Sequence, residues 1–422
     1  MTNAPTSHPL PHSLPQIEFL PLQPAIASDQ PTTLDVLVKI VPPVPETQLQ
    51  RPPLNLGLVI DRSGSMAGSK IEYARQAASY AVQQLLPTDR VSIIAFDGQV
   101  ETVVPSTPAL EKSPILQAIH RIRERGSTAL HAGWVEGGVQ VGHHLRSDRL
   151  NRVLLLSDGL ANVGETNPDV IANDVHGLAQ RGISTTTLGV GNDYSEDLLE
   201  AMARSGDGNF YHIESPQQLP AIFQAELQGL MATLGQQVSL GIEPQSGVVV
   251  ADVLNDLDKT SYGRLKLPNL VVGNPILVVV RLKLPAIHQA TDLCHFRLAW
   301  NDPNQLGRQV LRATLQLPVV PAAQLADFPL HPEVQQQIAL LMAARARAEA
   351  IHHLDQGDSL GARQRLMAVH DLMLSAAPAT PATQMELQRL AELNQDIELG
   401  ELGISRKKAR FQSYNLRRSR PQ

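Results

Sequence analysis

Between residues 53 and 233 the chain alternates two kinds of hydrophobic pattern. Largely apolar runs, LGLVI (56–60), VSIIAF (91–96), RVLLLS (152–157) and ISTTTLGV (183–190), have the continuous character of strands buried on both faces. Helical stretches lie between and after them at 70–86, 129–145, 169–180 and 217–231. Alternation of this kind predicts an α/β fold, a doubly wound and mainly parallel sheet with helices on both faces.

The flanks follow different rules. Residues 17–48 contain two strand-like segments, IEFLPLQPAI and TTLDVLVKIV, the second alternating Leu34, Val36, Val38 and Ile40 on one face. After Gly235 short β-rich runs return, QQVSLGIEP, GVVVADVL, SYGRLKL, NPILVVVRLKL, CHFRLAW and QVLRATLQLPVV, separated by Gly, Pro and Asn. Two strands alone are marginal, so the 17–48 strands are expected to join those of 236–320 in one β-sandwich, with the α/β domain of 53–233 inserted between them. Residues 331–400 turn helical. Val334, Ile338, Leu341 and Met342 form one stripe, and Asp358 and Thr380-Pro381 read as starts of two further helices, giving a three-helix element. Residues 1–16, rich in Pro, Ser and His, read as a disordered arm, and 401–422 as a basic tail. That tail interleaves Arg and Lys with Phe411 and Tyr414, a composition able to contact phosphates and bases, but terminal charge runs are more often solvated or serve as docking peptides.

Composition narrows the partners. With 422 residues, 43% of them hydrophobic, the chain can bury two or three cores. Its net charge of −6 offers no general attraction to nucleic acid and leaves proteins as the expected partners. Cys294 stands alone, which removes an internal disulfide framework and gives it the role of a small strand residue. The N-terminus shows neither a basic leader nor a continuous apolar core, and no segment is apolar for long enough to span a bilayer; a cytoplasmic protein is the expectation.

The chemistry gathers at strand ends. Asp61, Ser63 and Ser65 follow the run 54–60, and Asp158 follows Val153-Leu154-Leu155-Leu156. In an open α/β sheet both segments deliver polar groups to the carboxyl edge, where the strand order reverses. Thr128, in GSTAL, adds a third hydroxyl. Singly, each has a plainer reading: Asp-x-Ser-x-Ser as a helix cap, Thr128 as a turn residue, Asp158 in an Asp-Gly turn. Together, two carboxylates and three hydroxyls without Cys or His suit a hard cation, Mg²⁺ first, with Mn²⁺ or Ca²⁺ as substitutes. Such a set leaves a coordination position open for a partner's carboxylate. An enzyme is not expected. Ser63 and Ser65 lack a nucleophile elbow, no phosphate-binding loop is present, and the adjacent pairs His143-His144 and His352-His353 diverge on a helix rather than sharing a metal.

DRSGSM, GSTAL and LLLSDG resemble the metal-ion-dependent adhesion site of von Willebrand factor type A domains, and the flanking KIEYARQAASYAVQQLLPTDRVSIIAFDG and GVGNDYSEDLLEAMARSGDGNFYHI are similar to bacterial members. The resemblance implies a Rossmann-like domain in which Asp61, Ser63 and Ser65 ligate from the first loop, Thr128 from the second and Asp158 from the third. It also implies that ligation can shift the last helix, near 217–231. The layout is similar to inter-α-trypsin-inhibitor heavy-chain-like and calcium-activated-chloride-channel-like proteins. The leading expectation is therefore a metal-dependent protein-binding module that captures an Asp or Glu of a partner, with Arg62, Met66, Asn162 and Glu165 at its rim. Two alternatives stand beside it: a scaffold or adaptor of an ATPase-containing complex, acting through the C-terminal helices and basic tail, and a metal-dependent hydrolase.

Overall fold

The computed structural model describes residues 14–418 apart from 44–51, 159–160, 192–193, 214, 232, 303–306 and 401. Most of the arm expected over 1–16, and the last four residues of the expected basic tail, lie outside the described residues. The chain opens with strands β1 (Gln16–Pro21), β2 (Ile26–Ala27) and β3 (Thr32–Val41). The α/β unit follows: β4 (Leu54–Asp61), α1 (Ser69–Gln84), β5 (Arg90–Phe96), β6 (Val100–Pro108), α2 (Lys112–His120), α3 (Leu130–Gly142), β7 (Leu150–Ser157), α4 (Pro168–Gln180), β8 (Ile183–Val190), α5 (Glu196–Ser205), β9 (Asp207–Ile213) and α6 (Leu219–Met231).

These six strands form one sheet in the order β6-β5-β4-β7-β8-β9, parallel except for β6. β4 and β7 are buried along their whole length, as strands covered on both faces must be. One apolar cluster joins α1, α2 and α6 to one face, and another joins α3, α4 and α5 to the opposite face. Helix α3 lies very close to the sheet because it carries glycine at the contact: a Cβ on Gly137 would stand 2.4 Å from a methyl of Val59. Order reverses between β4 and β7, so the crevice at their carboxyl ends is the switch point of the sheet. The hydrophobic pattern does not reveal β6. It is an edge strand with no fully buried position and two prolines, so it has no apolar run to reveal it.

The chain then returns to β structure with β10 (Thr233–Pro244), β11 (Val249–Val253), β12 (Leu265–Lys266), β13 (Leu270–Val271), β14 (Ile276–Leu284), β15 (Cys294–Asn301), β16 (Arg308–Leu315) and β17 (Val319–Val320). Two antiparallel sheets result, β1-β3-β14-β11 and β12-β10-β15-β16 with β13 also on β10. Val36, Val38 and Val280 of the first share a core with Leu240, Phe296 and Leu298 of the second. β3 precedes the α/β unit and β14 follows it, yet they pair in continuous register from Ile276↔Ile40 to Leu284↔Thr32. Asp35 and Arg281, opposite in that register, clamp it with two bonds of 2.7 and 2.9 Å. The α/β unit is thus an insertion in a β-rich body. Cys294 is buried in β15, as a small strand residue.

Four helices complete the described chain: α7 (Pro332–Asp355), α8 (Ser359–Ala376), α9 (Pro381–Leu399) and α10 (Leu402–Arg417). Asp358 caps α8 through the Gly361 N–H at 2.8 Å, and Thr380 with Thr383 forms a capping box ahead of Pro381. The stripe on α7 packs Val334 and Leu341 against Leu37 and Val279, the outward residues of β3 and β14. The fourth helix corrects the expectation of a basic tail after 400 and of a three-helix element. Residues 402–417 are helical and docked, because Phe411 and Tyr414 find an apolar seat against Phe210 of β9.

Candidate functional site

Asp61 ends β4, and register sets Ile60 beside Leu156 of β7. Asp61 and Ser157 therefore stand side by side: the Ser157 hydroxyl donates to Asp61 Oδ2 at 2.5 Å, while the Ser63 N–H donates to Oδ1 at 2.8 Å. Asp158 follows directly, with Oδ2 3.5 Å from the ammonium of Lys70 at the start of α1 and its carbonyl accepting the Ser195 N–H at 2.8 Å. Ser63 and Ser65 bring their hydroxyls within 3.1 Å of each other. Asp61, Ser63, Thr128 and Asp158 are buried, whereas Ser65 is exposed and opens the group to solvent.

Thr128 joins through the backbone. Gly64 N–H donates to the Gly126 carbonyl at 3.0 Å and Arg125 N–H to the Arg62 carbonyl at 2.7 Å, which ties the loop after β4 to the loop before α3. The Thr128 N–H is held by Asn162 Oδ1 at 2.8 Å, and its carbonyl accepts from Asn162 and Val163. A second ionic knot braces these loops from outside. Asp97 Oδ2 accepts from Arg125 Nε at 2.6 Å and Arg62 Nε at 3.2 Å, and its Oδ1 accepts from the Gln99 N–H at 2.8 Å. Burial alone would raise the Asp97 pKa; the Arg125 hydrogen bond, the Gln99 N–H and the two guanidinium charges overcome it and hold it below the usual value.

Asp61 behaves in the opposite way. Burial pushes it up to about 6 against the pull of Ser157 and Ser63, and the neighbouring Asp158 adds repulsion. Two carboxylates in one buried corner are costly unless a cation offsets them. Among the described residues no three His, Cys, Asp or Glu side chains form a metal-sized cluster, so a cation at this corner would depend on hydroxyl donors as well, a set that hard ions accept. The donor chemistry therefore fits Mg²⁺, Mn²⁺ or Ca²⁺ better than a soft metal.

Two of the expected rim residues are elsewhere. Arg62 is buried and spent on Asp97 and Glu101, and Met66 is fully buried in the core beneath α1. Asn162 positions Thr128, and Glu165 accepts the Asn167 N–H at 2.7 Å. The sequence pattern does not single out Ser157, Lys70, Asp97 or Ser195 as site residues. The first lies within LLLSDG and was legible as a polar residue closing an apolar strand; the others take part only through tertiary contact. The adjacent histidines are separately engaged, His144 with Arg90 at 2.9 Å, His352 with Gln356 and His353 with Asp358.

Residues 55–225, the inserted α/β unit, match the family model described as von Willebrand factor type A domain. Domains of this family are often metal-dependent protein-interaction modules. The uncharacterized protein sll0103 of Synechocystis is 27% identical over 333 residues, which cover 75% of this chain and 78% of that one. Inter-alpha-trypsin inhibitor heavy chain H3 of Rattus norvegicus is 28% identical over 244 residues, 54% of this chain but only 26% of the relative's length. A solved von Willebrand factor type A protein from Catenulispora acidiphila covers 93% of this chain and 96% of its own at TM-score 0.67 and 17% identity, a likeness of fold. Among the described residues no helix is long and apolar enough to cross a membrane.

Proposed function

We propose that Asp61, Ser63, Ser65, Thr128 and Asp158 hold a divalent cation, Mg²⁺ first and Mn²⁺ or Ca²⁺ as substitutes, and that the open side of this site captures an Asp or Glu of a protein partner. The observation that carries the reading is the pair of buried carboxylates at neighbouring strand ends, with Asp61 raised to about 6, beside the exposed Ser65. A bound cation would supply a Lewis-acidic position that an outside carboxylate completes. The chain's own part is pre-organisation. Ser157 and the Ser63 N–H fix the Asp61 carboxylate, Ser195 fixes the Asp158 carbonyl, and Asn162 fixes the Thr128 backbone, so little of the donor set has to move on binding. An exposed ion pair alone is weak, so affinity rests on direct coordination with apolar contact around it.

The hydrolase reading is the weaker one, since the Ser63 and Ser65 hydroxyls face each other as candidate ligands and His144, His352 and His353 are engaged elsewhere. The scaffold reading is weakened over the described part of the tail, where Arg406, Lys407 and Arg410 are paired within the chain. The test is titration of Mn²⁺ into the metal-stripped full chain, followed by capture of partners from native lysate in Mg²⁺ and in EDTA. Saturable binding of one ion, lost in an Asp158→Asn variant that stays folded by circular dichroism, with partners released by EDTA, is expected. Equal Mn²⁺ binding by the wild type and Asp158→Asn would reject it.

A further inference from the structure

The outward face of the sheet β12-β10-β15-β16 gathers five cations. Its inner face supplies Leu240, Phe296 and Leu298 to the core, so strand alternation turns Gly241, Arg297 and Arg312 outward. Register aligns these three in one row, Gly241↔Arg297 and Arg297↔Arg312. Gly241 leaves room in the row, and Arg264 fills it, its Cγ 3.8 Å from where a Cβ of Gly241 would stand. One row along, Lys266 lies opposite Ser239, and Arg308 reaches across to the Ser239 hydroxyl at 2.8 Å and the Gln237 carbonyl at 3.0 Å. Among the described residues none of Arg264, Lys266, Arg297, Arg308 and Arg312 makes an ion pair. Glu243 is at the margin, opposite His295.

Like charges directly opposite on paired strands are destabilising, and this chain concentrates five cations here although its net charge is −6. Burial and the charges of Arg297 and Arg264 lower the Arg308 pKa, which agrees with mutual repulsion across the face. Arginine on an edge strand also serves to block sheet-to-sheet pairing. That purpose needs charges on β16 alone, whereas Arg264, Lys266 and Arg297 lie farther inside the sheet.

We propose that this face, together with the outer edge of β16, binds an extended acidic segment of a protein partner as an added strand. Among the described residues β16 pairs only with β15, so its other edge offers backbone donors and acceptors from Arg308 to Leu315. Along that edge the exposed outward positions are Arg308, Val310, Arg312 and Thr314. A strand laid beside them meets a cation, an apolar side chain and a cation at alternate positions, which selects the pattern acid-x-apolar-x-acid. Arginine forks match carboxylates bidentately. The strand positions of this face carry no Phe, Tyr or Trp on which bases would stack, which favours a peptide over nucleic acid.

The experiment uses the full chain and a fluorescein-labelled peptide with the core Glu-Thr-Val-Thr-Glu, read by anisotropy in EDTA, which separates this surface from the proposed metal site. Expected are saturable binding that weakens as salt rises, at least tenfold weaker binding to Arg297→Gln/Arg312→Gln, and none of a Lys-for-Glu peptide to the wild type. That double variant removes a like-charge pair and is expected to melt at or above the wild-type temperature. Absent binding, equal binding by the double variant, stronger binding of an oligothymidylate that displaces the peptide, or a dimer dispersed by the double substitution would each overturn the proposal.

Discussion

Ser65 is the site residue that separates metal binding from folding. Its hydroxyl meets Ser63 at 3.1 Å and its side chain is exposed, whereas Asp61, Ser63, Thr128 and Asp158 are buried. Ser65→Ala is therefore expected to weaken Mn²⁺ binding by about tenfold, one ligand interaction of about 1.4 kcal/mol, while shifting stability by less than about 0.5 kcal/mol. Calorimetric titration and thermal melting check the two halves. Lys70 gives a contrasting case, because its ammonium lies 3.5 Å from the carboxylate proposed as a ligand. A fixed cation there competes electrostatically with a mobile one, so Lys70→Met is expected to tighten Mn²⁺ binding. Weaker binding in the variant would show that Lys70 orients Asp158 rather than competing for it. The five candidate ligands were legible in the sequence because each follows a strand or opens a helix in loops of the expected order. Lys70 and Asp97 were not: a lysine at a helix start and an aspartate after a strand have ordinary surface readings, and their roles come from loops that meet only in the folded chain.

At the scale of elements, α6 is held to the sheet by a buried carboxylate. Glu226 accepts from Arg152 of β7, from Thr186 of β8 at 2.8 Å, and from Asn209 and Tyr211 of β9, the last at 3.0 Å. Burial would raise its pKa, but the Arg152 charge and the hydrogen bonds of Asn209, Arg152 and Thr186 prevail and lower it. A carboxylate lowered in the folded state adds stability above its unfolded pKa, near 4.3, and loses it as pH falls toward the folded value. Glu226→Gln leaves Arg152 buried without its counter-charge, a loss on the order of 3 kcal/mol. Urea midpoints at neutral pH are expected to show that gap, and the gap is expected to shrink below about pH 4 as the wild type protonates. A gap independent of pH would assign the cost to packing. The long elements were legible where one pattern ran through them, as in β4, β7 and α9 with its Thr380-Pro381 start. Short or half-exposed ones were not: β6 lacks a buried run, and α10 showed a charge pattern whose counter-charges lie on another domain.

For the whole molecule, α10 fastens the inserted α/β unit to the rest. On one side Phe411 and Tyr414 pack around Phe210, the Tyr414 hydroxyl donates to the Gly208 carbonyl at 3.1 Å, and Lys407 donates to Glu196 at 3.0 Å and to the Tyr194 carbonyl at 2.9 Å. On the other, Arg406 reaches Asp355 of α7 at 2.8 Å, and Arg347 of α7, wholly buried and paired with Glu386 of α9, donates to Ser413 at 3.2 Å. One helix thus satisfies acids of α5 and a buried arginine of the helical element at once. Removing residues 402–422 would expose Phe210, take Arg406 and Lys407 from Glu196 and Arg410 from Glu200, and remove the Ser413 acceptor from Arg347, so the two bodies would lose their common brace. Calorimetry is expected to resolve one unfolding transition in the full chain and two in the truncated one, the lower belonging to the α/β unit. The loss should reach the candidate metal corner too, since Tyr194 precedes Ser195, whose N–H holds the Asp158 carbonyl at 2.8 Å. Weaker Mn²⁺ binding by the truncated chain, measured below its first transition, is the expected result; unaltered affinity with two transitions would confine α10 to the mechanical role.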